Sequence, residues 1–190
     1  KYGTKDELKA AIAELHNHKI SVYPDTVLNH RMGADFTETV TVREVNPGNR
    51  LENVSEPYQI QAAPGVDFAG RKKKDSDFWW RWDHFNATDT DHATLKRAIF
   101  QFQGEGKRWS DKVDLENGNY DYLMGDDVDF SRGDVREEIK NWGKWVAAEL
   151  GIDGMRLDAV KHIDSGFMAE FMDAVRSAAG EKFYAVAEYW

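Results

Sequence analysis

Leu8, Ile12 and Leu15 fall on one helical face, and Thr4 with Glu7 forms a Thr-x-x-Glu capping box ahead of them, so the chain is expected to open on a helix. After His18-Lys19 the pattern changes. Ile20-Ser-Val-Tyr-Pro-Asp-Thr-Val-Leu28 is a mostly apolar, β-branched run of strand length, with Pro24 removing one ladder donor, and it predicts a buried strand. Val135, Ile139, Trp142, Val146 and Leu150 mark one face of a second helix, which Ser131 or Asp134 can cap and Gly151 ends. Gly154–Val160 then reads as a strand, Phe167, Phe171 and Val175 as the face of a third helix, and Phe183–Glu188 as a further strand.

From Asn29 to about Gly125 this rhythm stops. A segment rich in Asn, Gly, Asp and aromatics intervenes, far longer than connections of about 2 to 6 residues, which implies an inserted small domain. Strands separated by helices pair in parallel through right-handed crossovers, so the remainder is a doubly wound sheet or a (β/α)8 barrel. A barrel takes about 250 residues, so these 190 are expected to be part of one. An open sheet of three strands would leave its edges and inner face unprotected, and the isolated piece is expected to be poorly stable. The chain shows no internal repeat or low-complexity tract.

Composition narrows the partners. With 41% hydrophobic and 13% aromatic residues the chain can bury a core. A net charge of -9 disfavours nucleic acid and anionic membranes as partners and favours a neutral, polar ligand. Without cysteine there is no disulfide or thiolate site, so any metal is held by oxygen or imidazole. No run of about 18 apolar residues marks a membrane span, and no signal peptide is visible.

In parallel α/β folds the site forms at the carboxyl ends of strands. Three such ends carry polar groups: Asp25 with Asn29 and His30, Arg156 and Asp158 with Lys161 and His162, and Glu188 before Tyr189-Trp190. Strand alternation puts Arg156 and Asp158 on one face. A carboxylate beside a guanidinium suits a nucleophile, and a carboxyl among aromatics suits a general acid. On spacing alone, a structural Arg156–Asp158 ion pair and a surface Glu188 describe the same residues, because fold does not specify reaction.

Gly154-Met-Arg-Leu-Asp-Ala-Val-Lys-His162 resembles the nucleophile motif of the alpha-amylase family of glycoside hydrolases, Val186-Ala-Glu-Tyr-Trp190 its acid/base motif, and Asp25-Thr-Val-Leu-Asn-His30 its strand-three motif. Tyr2-Gly-Thr-Lys5, Met32-Gly-Ala-Asp35 and Gly118–Met124 extend the similarity toward the bacterial liquefying and cytoplasmic branch. The resemblance implies part of a (β/α)8 TIM barrel around strands 3 to 5. Its barrel segments would be residues 1–30 and 126–190, with an inserted B domain over 31–125 after strand 3.

The resemblance also implies roles. Asp158 would be the nucleophile and Glu188 the general acid/base of retaining endo-hydrolysis of α-1,4-glucosidic bonds in starch, glycogen or maltooligosaccharides. Arg156 would orient the nucleophile, Asp25 and His30 would bind the sugar at the cleaved subsite, and Lys161 and His162 would lie on the leaving-group side. A structural calcium would use Asn29, Asp121, Asp127 and the backbone carbonyl of His162, hard oxygen ligands that suit the ion. Asn86 and Ser110 stand where acidic ligands of further metals are expected, which argues against those metals and, with the absent cysteine, points to a cytoplasmic enzyme.

The aromatic stretch Phe78–Phe85 is read chiefly as core packing, and Arg71–Lys74 as a solvated loop. The family's third catalytic Asp belongs to a later strand, so these residues alone are expected to be inactive. A transglycosylase of the same family shares the nucleophile and acid/base, and a non-catalytic barrel relative acting as a binding module is the alternative of a different class. An unrelated metal-dependent barrel hydrolase would need more clustered ligands than the strand ends show.

Overall fold

The computed structural model describes residues 3–190; Tyr2, one end of the similarity noted above, lies outside them. Helix α1 spans Lys5–Asn17. Its capping box forms: the Glu7 amide donates to the Thr4 hydroxyl oxygen at 3.2 Å and the Thr4 amide to the Glu7 carboxylate at 2.7 Å, satisfying amides that a helix start leaves orphaned. Of the expected face only Ile12 is buried; Leu8 and Leu15 are exposed.

The strand expected over Ile20–Leu28 is paired only at Asp25–Thr26, β1. Upstream, the Val22 and Pro24 carbonyls accept the amides of Asp153 and Arg156 at 3.1 and 3.0 Å, but Pro24 has no N–H to return, so the ladder there is one-sided. Strand β1 runs parallel to β9, Gly154–Leu157, which runs parallel to β10, Tyr184–Ala187. Helix α2, Gly133–Leu150, leads into β9, and α3, Ser165–Ala179, connects β9 to β10. These are the helical crossovers that parallel strands require.

Phe167, Phe171 and Val175 of α3 are fully buried against α2, whose Gly143 allows the approach: a Cβ there would lie 2.5 Å from Phe171. Two expectations for α2 fail. Neither Ser131 nor Asp134 caps it, because the Ser131 hydroxyl donates to Asp129 at 2.5 Å and the Asp134 carboxylate is held by Arg132 at 2.6 Å. Trp142 sits at the rim of a surface cavity and is 40% exposed, while Gly143 takes the packed position. Gly151, with φ of 65°, ends the helix in the left-handed region that glycine enters without strain.

Between β1 and α2 lies a second, antiparallel sheet. It contains β2 (His30–Arg31), β3 (Phe36–Asn46), β4 (Asn49–Asn53), β5 (Tyr58–Gly65), β6 (Phe85–Thr90), β7 (Arg97–Phe102) and β8 (Asp126–Val128). The order is β2-β8-β6-β7-β3-β4, with β5 on β3. Strand β8, which the sequence division at 125/126 puts with the barrel, pairs with β2 and β6; its Asp-Asp-Val run carries no alternation that would have announced a strand. Trp80 and Phe85 are buried with their rings 5.3 Å apart and Phe78 packs 5.2 Å from Trp80, so most of the aromatic stretch fills the core, although Trp79 is exposed. One apolar cluster runs from Val42 and Phe100 through Val128 and Phe130 to Met155 and Phe167, joining the two sheets. Among the described residues no helix is long and apolar enough to cross a membrane.

Candidate active site

Strand register sets the site. Asp25 lies opposite Arg156, and Val186 pairs with Arg156 from the other side, so Glu188 emerges just past the end of β10. The Glu188 amide donates to the Leu157 carbonyl at 2.9 Å, and the Val160 amide returns a bond to the Glu188 carbonyl at 3.1 Å. Arg156 Nη1 donates to Asp25 Oδ1 at 2.6 Å and to Asp158 Oδ1 at 2.5 Å, while Nη2 faces Glu188 Oε1 at 2.8 Å. One guanidinium thus gathers three carboxylates at the strand ends, and they hold its own pKa well above the usual arginine range. Ala159 takes a left-handed backbone, φ 51°, which directs its amide to Glu188 Oε2 at 3.3 Å and starts the turn Val160–His162. Glu188 keeps about a third of its side-chain surface, 34%, in solvent.

His30 approaches from β2. Burial pushes its pKa down against the pull of the Asp158 charge, and its Nδ1 is buried without a partner. Lys161 is buried, and its ammonium donates to Glu116 of the insertion. His162 is fully buried, with Nδ1 2.6 Å from the Tyr120 carbonyl and its ring 4.3 Å from the Tyr120 ring. The buried His162 side chain packs on Tyr120 in this arrangement and has no accessible surface of its own.

Asn29, Asp121 and Asp127 are each about 1% exposed. The Asp121 carboxylate accepts from the Ser110 amide at 2.8 Å and from Asn86 Nδ2 at 3.3 Å, so the two positions that depart from the acidic pattern serve Asp121. Burial pushes Asp121 up to about 7, with Asp129 adding to the rise, and pushes Asp127 well above the carboxylate range, with Asp121 adding. Both Asp127 carboxylate oxygens and both polar atoms of the Asn29 side chain lack a partner. Among the described residues no three His, Cys, Asp or Glu side chains group as a metal cluster by themselves.

Sequence reasoning missed Asp114 and Glu116, which reach Tyr189 and Lys161 across long stretches of chain with no local pattern to mark them, and gave no role to Tyr120, which lies in the Gly118–Met124 segment and meets His162.

A family model described as alpha amylase, catalytic domain, matches residues 1–185. The chain belongs to the alpha-amylase family. Membership makes the three parallel strands and their helices part of a (β/α)8 barrel. The glucan 1,4-alpha-maltohexaosidase of Bacillus sp. (strain 707) is 49% identical over all of this chain and 37% of its own length. The cytoplasmic alpha-amylase of Escherichia coli (strain K12) is 40% identical over all of this chain and 39% of its own length. The chain therefore spans less than half the length of these family members. The solved alpha-amylase of Geobacillus thermoleovorans, complexed with acarbose, shares the fold with a TM-score of 0.55 at 24% identity, covering all of this chain and 30% of that one.

Proposed function

We propose that the whole protein carrying this chain is a retaining endo-hydrolase of α-1,4-glucosidic bonds in starch, glycogen or maltooligosaccharides. The single observation that carries this reading is the Arg156 fork, which holds Asp158 and Glu188 from its two Nη atoms at 2.5 and 2.8 Å. Carboxylates gripped by one planar group are near enough for the separation of about 5 to 5.5 Å that retention needs. Asp158 attacks the anomeric carbon as Glu188 gives a proton to the glycosidic oxygen, breaking the bond and leaving the sugar linked to Asp158. Glu188 then takes a proton from water, whose oxygen displaces Asp158, and two inversions restore the α configuration. Asp25 and His30 border this centre as the sugar-binding groups of the cleaved subsite.

Calcium fits the buried polar cluster, because Asp127 presents a carboxylate with no partner and Asn29 a carbonyl oxygen with none. In this reading Asn29, Asp121, Asp127 and the His162 backbone carbonyl hold the ion, whose charge offsets the buried carboxylates and ties the insertion to the strand ends. The test of the reaction is NMR of maltooligosaccharide cleavage by the whole enzyme. The α-anomer is expected first, and an initial β-anomer would sink the retaining mechanism.

A further inference from the structure

We propose that the Ala159 main-chain amide is a positioning group for the acid/base: a one-residue slip in the strand ladder frees this N–H from the backbone and gives it to the Glu188 carboxyl. The proposal rests on the glycosidase reading above, and it adds a donor that acts through Glu188.

The register shows the slip. Leu157 pairs with Ala187, and the Glu188 amide donates to the Leu157 carbonyl at 2.9 Å. In a parallel ladder continued in that register, the next amide on this side of β9, that of Ala159, serves the Glu188 main-chain carbonyl. That carbonyl instead accepts the Val160 amide at 3.1 Å. Ala159, at φ 51° and ψ 36°, absorbs the extra position. Its own amide turns to Glu188 Oε2 at 3.3 Å and has no other acceptor among the described residues.

The left-handed region is costly for a residue with a Cβ, and it persists where the surroundings enforce it. Here the Val160 bond to Glu188 is joined by two more, from the His162 amide to the Ala159 carbonyl at 3.1 Å and from the Ile163 amide to the Val160 carbonyl at 3.2 Å. The outcome suits a general acid. Arg156 Nη2 faces Oε1 at 2.8 Å and the Ala159 amide serves Oε2, so each oxygen has one donor and the plane of the carboxyl is set. Each oxygen keeps a second lone pair, so the group can carry a proton for the glycosidic oxygen without releasing either donor. A bond of 3.3 Å is at the long end, as catalytic bonds often are before substrate closes the site. The competing description is an amide that meets a carboxylate only because the turn leaves it there.

The whole enzyme decides between them with substituted phenyl α-maltotriosides, which share one sugar and differ in how far the departing phenol needs a proton. Ala159→lactic acid puts an ester oxygen where the N–H stands. It is expected to lower kcat/KM about fivefold for the phenyl compound, roughly the worth of one hydrogen bond, and less than about twofold for the 2,4-dinitrophenyl compound, whose phenolate leaves unaided. Ala159→Gly keeps the N–H and enters this conformation freely, and it is expected to match the parent across the series. A disturbed turn slows every substrate alike. An equal fall across the series, no fall on the phenyl compound, or the same selective fall in Ala159→Gly therefore overturns the proposal. If the ester chain does not fold, NMR of Glu188→Ala decides. There the Ala159 amide proton is expected to move upfield while that of Val160, bonded to the main-chain carbonyl, stays in place; equal movement of the two overturns the proposal. A parent enzyme that cleaves neither these compounds nor a maltooligosaccharide overturns the glycosidase reading and this proposal with it.

Discussion

A single guanidinium gathers three carboxylates at the strand ends, and its shape suits an arginine to that place. Two Nη atoms in one plane reach Asp158 and Asp25 from one side and Glu188 from the other. A lysine ammonium at the same height is a point charge on a flexible stem and cannot hold both carboxylates in fixed directions. Arg156→Lys is therefore expected to lower kcat in the whole enzyme by roughly 10²-fold, about two charged hydrogen bonds at ~1.5 kcal/mol each, with a much smaller change in KM. Steady-state kinetics check this, and a kcat within threefold of the parent would show that another group orients the nucleophile. Strand alternation and the strand-end rule, which act over two or three residues, made Arg156, Asp158, Asp25 and Glu188 legible as polar groups at neighbouring strand ends, while only the family resemblance gave them roles. Glu116 was not legible, since its partner Lys161 lies 45 positions away and nothing near either residue encodes the pairing.

Elements with local causes were the legible ones. The Thr4–Glu7 capping box, the Gly151 terminator and the Phe167–Phe171–Val175 face all appear where the spacing puts them. What depended on neighbours was not: the strand before Leu28 pairs on one side only, and Trp142 gives way to Gly143 because α3 packs too close for a large side chain. The same close-approach argument applies to Gly154 at the start of β9. A Cβ there would meet the Tyr184 carbonyl oxygen at 2.3 Å and the Tyr23 ring at 2.6 Å, and the carbonyl belongs to the ladder that aligns β10. Moving that ladder moves Arg156 relative to Glu188. Gly154→Ala is expected to destabilise the whole enzyme by about 1–3 kcal/mol and to reduce its specific activity. Gly133→Ala, where a Cβ meets nothing within 4 Å, serves as the control. Urea midpoints for the two variants check the contrast, and equal midpoints would show that β9 and β10 can separate without cost.

At the scale of the whole molecule, the barrel segment and the insertion meet over buried negative charge. Asp129 is neutralised by Lys107 at 2.7 Å, but among the described residues the Asp127 carboxylate has no hydrogen bond and no direct ion pair, and a carboxylate left so is costly to bury. Burial holds the Asp121 proton up to about 7, whereas the unfolded chain releases it near 3.8. The folded form then binds more protons than the unfolded form between those values, so without metal the contribution of Asp121 to stability falls as pH rises from about 4 to about 7. A divalent ion reverses the sign by favouring the charged carboxylates of the folded state, and its stabilisation, about 2.7 kcal/mol at 100-fold over Kd, is largest where they have lost their protons. Chelation is therefore expected to lower the melting temperature of the whole enzyme more at pH 7 than at pH 5, and calcium to restore it better than magnesium, which demands a smaller octahedral cage. Asp127→Asn removes one buried charge and one ligand together, so its melting temperature in chelator should equal or exceed the parent's while its response to calcium disappears. If the variant and the parent lose the same number of degrees on chelation, the ion sits elsewhere, and the unpartnered Asp127 must be accommodated by keeping its proton.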